Sequence, residues 1–127
     1  KKNAPAPKLQ EYVSAEGYKI IVGKNNSQND YLTTSLAAKS DLWFHVKNLP
    51  GSHVIVFSHG GEVSDETILK AARLAALNSK AAASSNTAVD YTPVKYVKKP
   101  NGAKPGMVIY TANKTVYVTP DKGGLTE

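Results

Sequence analysis

The stretch that decides the fold reads DLWFHVKNLPGSHVIVFS and occupies residues 41–58. Apolar and polar side chains alternate in its first half, and successive side chains of a strand point to opposite faces of a sheet. Leu42, Phe44 and Val46 therefore share one face, which we expect to pack in the core. A Pro-Gly turn separates this half from a second apolar run. The stretch predicts two adjacent strands, Leu42–Val46 and His53–Phe57.

The opposite face of the first strand carries Asp41, Trp43, His45 and Lys47. An exposed indole beside an imidazole and an ammonium group offers a platform on which unpaired RNA bases can stack. Burial is the alternative, because most tryptophans are largely buried. Trp43 would then belong to a second core layer under the helix, with His45 hydrogen-bonded to Asp41. The residue pattern alone favours this buried arrangement.

The rest of the chain adds one long helix and more strands. Ser64 can cap a helix that runs to about Ala83, with two acidic residues in its first turn to complement the helix dipole. Its apolar stripe is built mostly from small residues, which suits close packing against a sheet: Ile68, Leu69, Ala72, Ala75, Ala76 and Ser79.

Shorter patterns complete the predicted architecture. They predict two strands within Tyr12–Val22 around a turn at Gly17, a short helix over Asp30–Ala38, and strands over Ala88–Val97, Met107–Thr111 and Thr115–Thr119. The last two strands would form a hairpin over Ala112–Lys114. This order predicts a single α+β domain, in which one long helix packs on a largely antiparallel mixed sheet.

Length and composition agree with one compact domain. The chain has 127 residues, 41% of them hydrophobic, which suffices for a core and exceeds what a disordered tail contains. We assign residues 1–8 to a tether, 9–122 to the domain and 123–127 to a C-terminal tail. Cysteine is absent and no apolar run approaches the roughly 20 residues of a membrane span, so we expect a cytoplasmic domain without membrane insertion. Because Lys1 comes first, we also expect a piece of a longer protein.

Positive charge concentrates towards the end of the sequence. Residues 91–127 hold six lysines against two acidic residues, whereas residues 1–90 hold ten basic against eight acidic residues. The loop Lys98–Gly106 combines three of these lysines with two glycines and two prolines, and backbone N–H groups together with lysines can bind phosphate. Tyrosines on the neighbouring strands suit stacking on single-stranded RNA. A solvated lysine-rich surface with ordinary strand tyrosines explains the same pattern equally well.

Catalytic and metal sites have little support in the sequence. The histidines are His45, His53 and His59, and no acidic residue or cysteine completes a tetrahedral metal set at a suitable spacing. No serine stands in a Gly-x-Ser-x-Gly elbow, and the Walker pattern of nucleotide-binding loops is missing. We therefore expect a domain that is not an enzyme and that uses no metal or other cofactor.

Several separate motifs, in one order, resemble the NFACT-R domain. They are NDYLT at residues 29–33, DLWFHVK at 41–47, PGSHV at 50–54, VDYT at 89–92, VKYVKKP at 94–100 and GAKPG at 102–106. The resemblance spans about Leu9–Pro120, which is almost the whole chain. It implies an RNA-binding module from the C-terminal part of a protein of the RqcH/NEMF type.

That family consists of ribosome-associated quality-control factors. The resemblance implies binding to obstructed large ribosomal subunits and recruitment of alanyl-tRNA for C-terminal alanine tailing, with tRNA and 23S rRNA as partners. Gram-positive members are also described as binding fibronectin and fibrinogen, so an adhesin module exposed at the cell surface is the alternative. The candidate RNA-binding residues are Asp41, Trp43, His45, Lys47, His53, Lys95, Lys98, Lys99, Lys104 and Tyr110.

Overall fold

The computed structural model describes residues 9–120, so the predicted tether and tail lie outside the described residues. The strands are β1 (Gln10–Val13), β2 (Lys19–Val22), β3 (Leu42–Val46), β4 (Val54–Val56), β5 (Thr87–Pro93), β6 (Val97–Lys98), β7 (Ile109–Tyr110) and β8 (Lys114–Val118). The helices are α1 (Asn26–Tyr31), which continues into a π-helical turn (Leu32–Leu36), and α2 (Asp65–Leu77). A 3-10 turn (Val94–Tyr96) joins β5 to β6. The predicted α+β fold is confirmed.

Six strands form one sheet in the order β1-β2-β4-β3-β5-β8, and every neighbouring pair is antiparallel. Residues 41–58 supply the two central strands, β3 and β4. In their register Trp43 faces Ile55 on one side and Thr92 on the other. The remaining two strands, β6 and β7, pair with each other in a separate ribbon.

The helix α2 packs on one face of the sheet, which we call the helix face. Ser64 caps α2 as predicted, since its side-chain oxygen accepts the backbone N–H of Thr67 at 3.2 Å. Phe44 and Val46 are fully buried on this face, and Leu42 packs against the same cluster. The alternation of β3 therefore predicted its core side chains correctly. The small residues of α2 let the helix lie close above them.

The end of α2 differs from the prediction, because the helix stops at Leu77 and not near Ala83. The backbone after Leu77 forms hydrogen bonds with the turn between β3 and β4. Ser52 donates its N–H to the Asn78 carbonyl at 3.0 Å, and Lys80 donates to the Pro50 carbonyl at 3.0 Å. These contacts between distant parts of the chain replace the hydrogen bonds that would have continued the helix.

The other face of the sheet is covered by α1, its π-helical turn and the β6–β7 ribbon, and we call it the ribbon face. The predicted hairpin of β7 with β8 is wrong, since β7 pairs with β6 and β8 pairs with β5. Ala112 turns the chain between them with a φ of 55°. Thr92 holds the crossing point by donating its hydroxyl to the Thr111 carbonyl at 3.0 Å.

The short helix begins earlier than predicted. Asn25 caps α1, accepting the Gln28 N–H at 2.8 Å, so the helix starts at Asn26 and not at Asp30. Leu32 is fully buried in the core, whereas Leu36 is 41% exposed.

Candidate nucleic-acid interface

Trp43 lies at the centre of the ribbon face and is fully buried. It forms a second core cluster with Leu32, Ile55 and other apolar side chains, against which Tyr110 packs. The prediction of an exposed stacking platform is therefore wrong, and the alternative of a second core layer is confirmed. The π-helical turn and the ribbon supply its cover, whereas α2 lies on the other face.

An aromatic cluster surrounds this tryptophan. The His45 ring stacks nearly parallel to the indole, with ring centroids 5.7 Å apart and planes at 6°. Tyr110 approaches at 4.7 Å with a tilted ring, and His53 meets the indole edge-on at 5.3 Å. Four residues predicted to bind RNA thus come together in one cluster.

Both histidines of the cluster are held uncharged by their surroundings. His53 is buried, and burial together with the neighbouring His45 ring lowers the pKa of His53 to about 3. Burial also lowers the pKa of His45 below its usual value. His53 connects two elements, because its ring hydrogen-bonds Thr33 Oγ1 at 2.7 Å and its backbone N–H donates to the Asn29 side chain at 3.0 Å.

The buried carboxylate of Asp90 connects the ribbon to the sheet. Asp90 is 1% exposed and accepts hydrogen bonds from Tyr110 at 2.5 Å and Thr115 at 2.6 Å, while the Lys47 ammonium lies 3.2 Å away. Burial alone would raise the pKa of Asp90, but these three donors outweigh it and hold the pKa below its usual value. Burial and the Asp90 carboxylate in turn raise the pKa of Tyr110. The Tyr110 hydroxyl therefore stays protonated and fixes the ring in place.

The loop between β6 and β7 is fastened to α1 by Asp30. Its carboxylate accepts the Lys99 ammonium at 2.8 Å and the Gly106 N–H at 3.1 Å. The hydrogen bond from Lys99 lowers the pKa of Asp30. Lys98 and Lys104 are exposed on the same ribbon. The lysine loop is thus anchored near both of its ends, with the Lys98 and Lys104 side chains exposed to solvent.

Two of the predicted residues lie elsewhere. Asp41 is fully buried at the other end of β3, where it accepts the backbone N–H groups of Ala38 and His59, each at 2.8 Å. The His59 ring lies 3.1 Å from the same carboxylate, so the predicted bond between Asp41 and His45 is wrong. Lys95 is near Asp41, because the preceding residue, Val94, donates its N–H to the Asp41 carbonyl at 2.9 Å. Asp41 therefore acts in local structure, and its carboxylate is unavailable to RNA.

A cavity of about 480 Å³ opens between the β3–β4 turn and the ribbon. Trp43, His45 and Tyr110 line it on the inside, and the apolar side chains Leu49 and Met107 line it as well. Leu49 is 43% exposed and Met107 is 61% exposed. The cavity thus has an aromatic interior and an apolar mouth.

Several residues of this region escaped the sequence analysis. Leu49 is an isolated apolar residue in a predicted turn, and Met107 begins the predicted strand Met107–Thr111, so neither indicated a ligand site. Asp30 and Asp90 gave a signal, because each stands inside a motif of the family resemblance, NDYLT and VDYT. Neither is among the candidate RNA-binding residues, because the sequence does not show that Asp30 meets Lys99 or that Asp90 meets Tyr110.

Between residues 9 and 120, no group of three or more histidine, cysteine, aspartate or glutamate side chains is placed to hold a metal ion. No helix in that range is both long and apolar enough to cross a membrane.

Comparison with known proteins identifies the family. A family model described as the NFACT protein RNA binding domain matches residues 8–118. The Rqc2 homolog RqcH of Bacillus subtilis is 55% identical over 115 residues, which cover 91% of this chain and 20% of that protein. Coiled-coil domain-containing protein 25 of Bos taurus is 30% identical over 84% of this chain and 53% of its own length.

A solved structure agrees with the sequence relatives. The C-terminal part of the fibronectin/fibrinogen-binding protein from Streptococcus suis has a TM-score of 0.87 and 45% sequence identity, covering 96% of this chain and 50% of that one. The chain spans about a fifth of the length of the RqcH relative. The resemblance seen in the motifs is confirmed, and the chain belongs to the NFACT-R family of RNA-binding domains.

Proposed function

We propose that this domain is a non-catalytic RNA-binding module that acts in the cytoplasm within a ribosome-associated quality-control factor. The observation that carries the proposal is the anchored β6–β7 ribbon, which presents lysines beside an aromatic cavity. Lysines supply the sequence-independent attraction to phosphate, and aromatic side chains supply contacts to unpaired bases. The family description of the matching domain supports the same conclusion.

The lysines of the ribbon divide into two groups by their partners. Lys99 is paired with Asp30 and holds the loop in shape. Lys98 and Lys104 have no carboxylate within ion-pair distance among residues 9–120, so their charge is available to phosphate. Lys47 shares a property with each group, because its ammonium contacts Asp90 while its side chain is 41% exposed.

The RNA that we propose as partner is tRNA together with 23S rRNA of the large ribosomal subunit. In the whole protein, the domain would help to hold alanyl-tRNA on an obstructed large subunit during C-terminal alanine tailing. The RqcH relatives, which are about five times as long as the matched segment, support this assignment. Tailing itself would depend on the rest of such a protein.

Salt titration tests the proposal. We expect tRNA to bind at low salt, with an affinity that falls steeply as salt rises, because phosphate contacts release counterions. The double variant Lys98→Ala/Lys104→Ala should weaken binding and reduce the slope of log affinity against log salt by about 2, or about 1 per lysine. Fluorescence anisotropy with labelled tRNA measures both quantities.

A matched control uses two exposed lysines away from the ribbon. Lys19 lies on β2 and Lys80 follows α2, so the variant Lys19→Ala/Lys80→Ala changes net charge by the same amount. It should lower affinity only slightly and leave most of the slope intact. Equal losses in the two double variants would mean that the ribbon is not the phosphate-binding surface, and absence of tRNA binding at low salt would refute the proposal itself.

A second candidate function is binding to fibronectin or fibrinogen. It rests on one observation, the close structural similarity to the C-terminal part of the Streptococcus suis protein that carries that description. Surface plasmon resonance on immobilised fibronectin and fibrinogen, with and without ribonuclease treatment of the purified chain, separates the two functions. Binding that survives ribonuclease supports an adhesin module, and binding that disappears was bridged by RNA.

A further inference from the structure

We infer that the cavity between the β3–β4 turn and the ribbon binds a single unstacked nucleobase of the RNA. The inference rests on the proposed function and goes beyond it, because it assigns base contacts and phosphate contacts to different parts of the surface. Phosphates would meet Lys98 and Lys104 on the ribbon, whereas one base would leave the strand and enter the cavity. Four observations support this division.

The first observation is the shape and lining of the cavity. Its volume of about 480 Å³ lies in the range of pockets that hold small planar ligands. His45 and Tyr110 are half-buried walls, and Trp43 lies beneath them with its ring parallel to that of His45. Flat aromatic side chains with one open side are the surfaces on which proteins stack bases.

The second observation is the apolar mouth. Leu49 and Met107 both line the cavity, Leu49 from the β3–β4 turn and Met107 from the position directly after the lysine loop. Both are largely exposed in the free domain. A base inserted between them would bury apolar area on both of its faces, which an intact RNA duplex could not do.

The third observation is a set of hydrogen-bonding groups around the cavity. Asn26 and Asn48 are among the residues that line it, and an asparagine amide offers both a donor and an acceptor for the edge of a base. Trp43 adds an indole N–H that is buried without a hydrogen-bond partner among the described residues. A buried donor in that state is destabilising.

The fourth observation is that both sides of the cavity are fixed before any ligand arrives. Tyr110 is held by Asp90, and Gly106 is held by Asp30. The turn on the other side is held through Pro50 and Ser52, which hydrogen-bond the segment after α2. A site of fixed shape spends little binding energy on ordering itself.

Trp43 is the single tryptophan of the chain and therefore a reporter placed inside the proposed site. The test compares an adenosine hexanucleotide with an abasic hexamer that has the same number of phosphates. We expect the adenosine hexamer to bind about tenfold more tightly, the effect of one stacked base, and to change Trp43 fluorescence. The abasic hexamer should bind through phosphate contacts with the fluorescence unchanged.

Two matched pairs of variants locate the base. Met107→Ala should lower affinity for the adenosine hexamer several-fold, whereas Ile109→Ala should not, although the two residues are 61% and 60% exposed. Leu49→Ala and Leu36→Ala form the second pair, at 43% and 41% exposure, and only Leu49 lines the cavity. None of the four should change affinity for the abasic hexamer.

The outcomes separate this inference from the proposed function. Equal binding of both hexamers with unchanged Trp43 fluorescence would overturn the base site and leave the phosphate-binding module in place. Binding of neither hexamer at low salt would overturn the base site alone if tRNA still binds, and both proposals if tRNA does not bind either. A fluorescence change that Met107→Ala and Ile109→Ala reduce equally would move the base to another part of the ribbon and overturn the assignment of the cavity.

Discussion

The two faces of the sheet are built from the same strands but from different chemistry. The helix face is covered by α2 and packs aliphatic and aromatic side chains around Phe44 and Val46. The ribbon face contains Trp43, but it also buries His53 and Asp90 with hydrogen bonds to each. The first face holds the domain together. The second uses buried polar groups to position a surface.

This difference between the two faces explains the alternation of side-chain types along the central strands. On the helix face, burial of apolar area is the main source of stability and the details of hydrogen bonding matter little. On the ribbon face, His53 and Asp90 are buried with hydrogen-bond partners, and losing such a partner is costly. The buried Asp90 holds Tyr110, and the half-buried Asp30 holds the lysine loop, so folding is linked to the proposed RNA contacts.

The largest effect is expected from a cavity in the helix face. Phe44 is fully buried and stacks on Tyr91 with ring centroids 5.2 Å apart. Phe44→Ala should lower the free energy of unfolding by about 3–5 kcal/mol, the usual cost of removing a buried phenyl ring. Urea denaturation followed by circular dichroism measures the change. RNA affinity of the remaining folded protein should stay near that of the unaltered chain.

Tyr117→Ala serves as the control, since Tyr117 is an aromatic residue of the sheet that is 63% exposed. It should change the free energy of unfolding by less than about 0.5 kcal/mol. A Phe44→Ala variant that folds normally but loses RNA binding would break the comparison, because the helix face would then carry function.

The sequence predicted those features that depend on neighbours along the chain. The period-two pattern of β3 identified its buried face, and the Ser64 cap identified the start of α2. It could not identify the end of α2, because the hydrogen bonds that stop the helix come from the turn at Pro50–Ser52. The pairing of β7 with β6 could not be predicted either. β7 is short and lies between β6 and β8 along the chain, and its own residues do not indicate which of the two it pairs with.

The candidate site shows the same limit. Alternation placed Trp43 on the ribbon face but gave no information about what covers that face. The role of Asp90 could not be predicted, because its partners contact it only in the folded chain. These partners are Lys47, Tyr110 and Thr115. The motifs of the family resemblance included Asp90, yet a motif does not reveal which of its members touches a ligand and which holds another residue.

The second prediction concerns pH and the ribbon face. Burial first and then the His45 ring lower the pKa of His53 from 6.5 to about 3 in the folded state. Between pH 6.5 and 3 the unfolded chain therefore binds a proton at His53 that the folded chain does not bind. This protonation costs no stability above pH 6.5, and it lowers the free energy of unfolding as pH falls towards 3. The expected decline is on the order of 1 kcal/mol per pH unit. Urea denaturation at pH 7, 6 and 5 measures it.

The variant His53→Gln sharpens this prediction. It keeps a polar side chain but cannot take up a proton, so its unfolding free energy should depend less on pH between 6.5 and 5. Some slope should remain, because burial lowers the pKa of His45 as well. Identical pH profiles for the variant and the unaltered chain would show that His53 is not the buried base that the ribbon face must keep neutral.

The smallest effect belongs to the helix face and lies in a lower pH window. Glu16, in the turn between β1 and β2, accepts the Ser64 N–H at 2.8 Å and the Thr67 hydroxyl at the start of α2. The hydrogen bond from Thr67, followed by those involving Ser64, outweighs burial and lowers the pKa of Glu16 from 4.5 to about 2. Its contribution is present above pH 4.5 and is lost as pH falls towards 2.

Glu16→Gln should therefore destabilise the domain by no more than about 1 kcal/mol at pH 7, because Glu16 is exposed and solvent screens its charge. The variant should approach the unaltered chain in stability as pH falls from 4.5 to 3, while the decline caused by His53 continues in both. Measuring both variants at pH 7, 5 and 3.5 separates the two faces by their titration windows. A Glu16→Gln effect as large as that of His53→Gln would mean that polar anchoring is as important to the helix face as to the ribbon face.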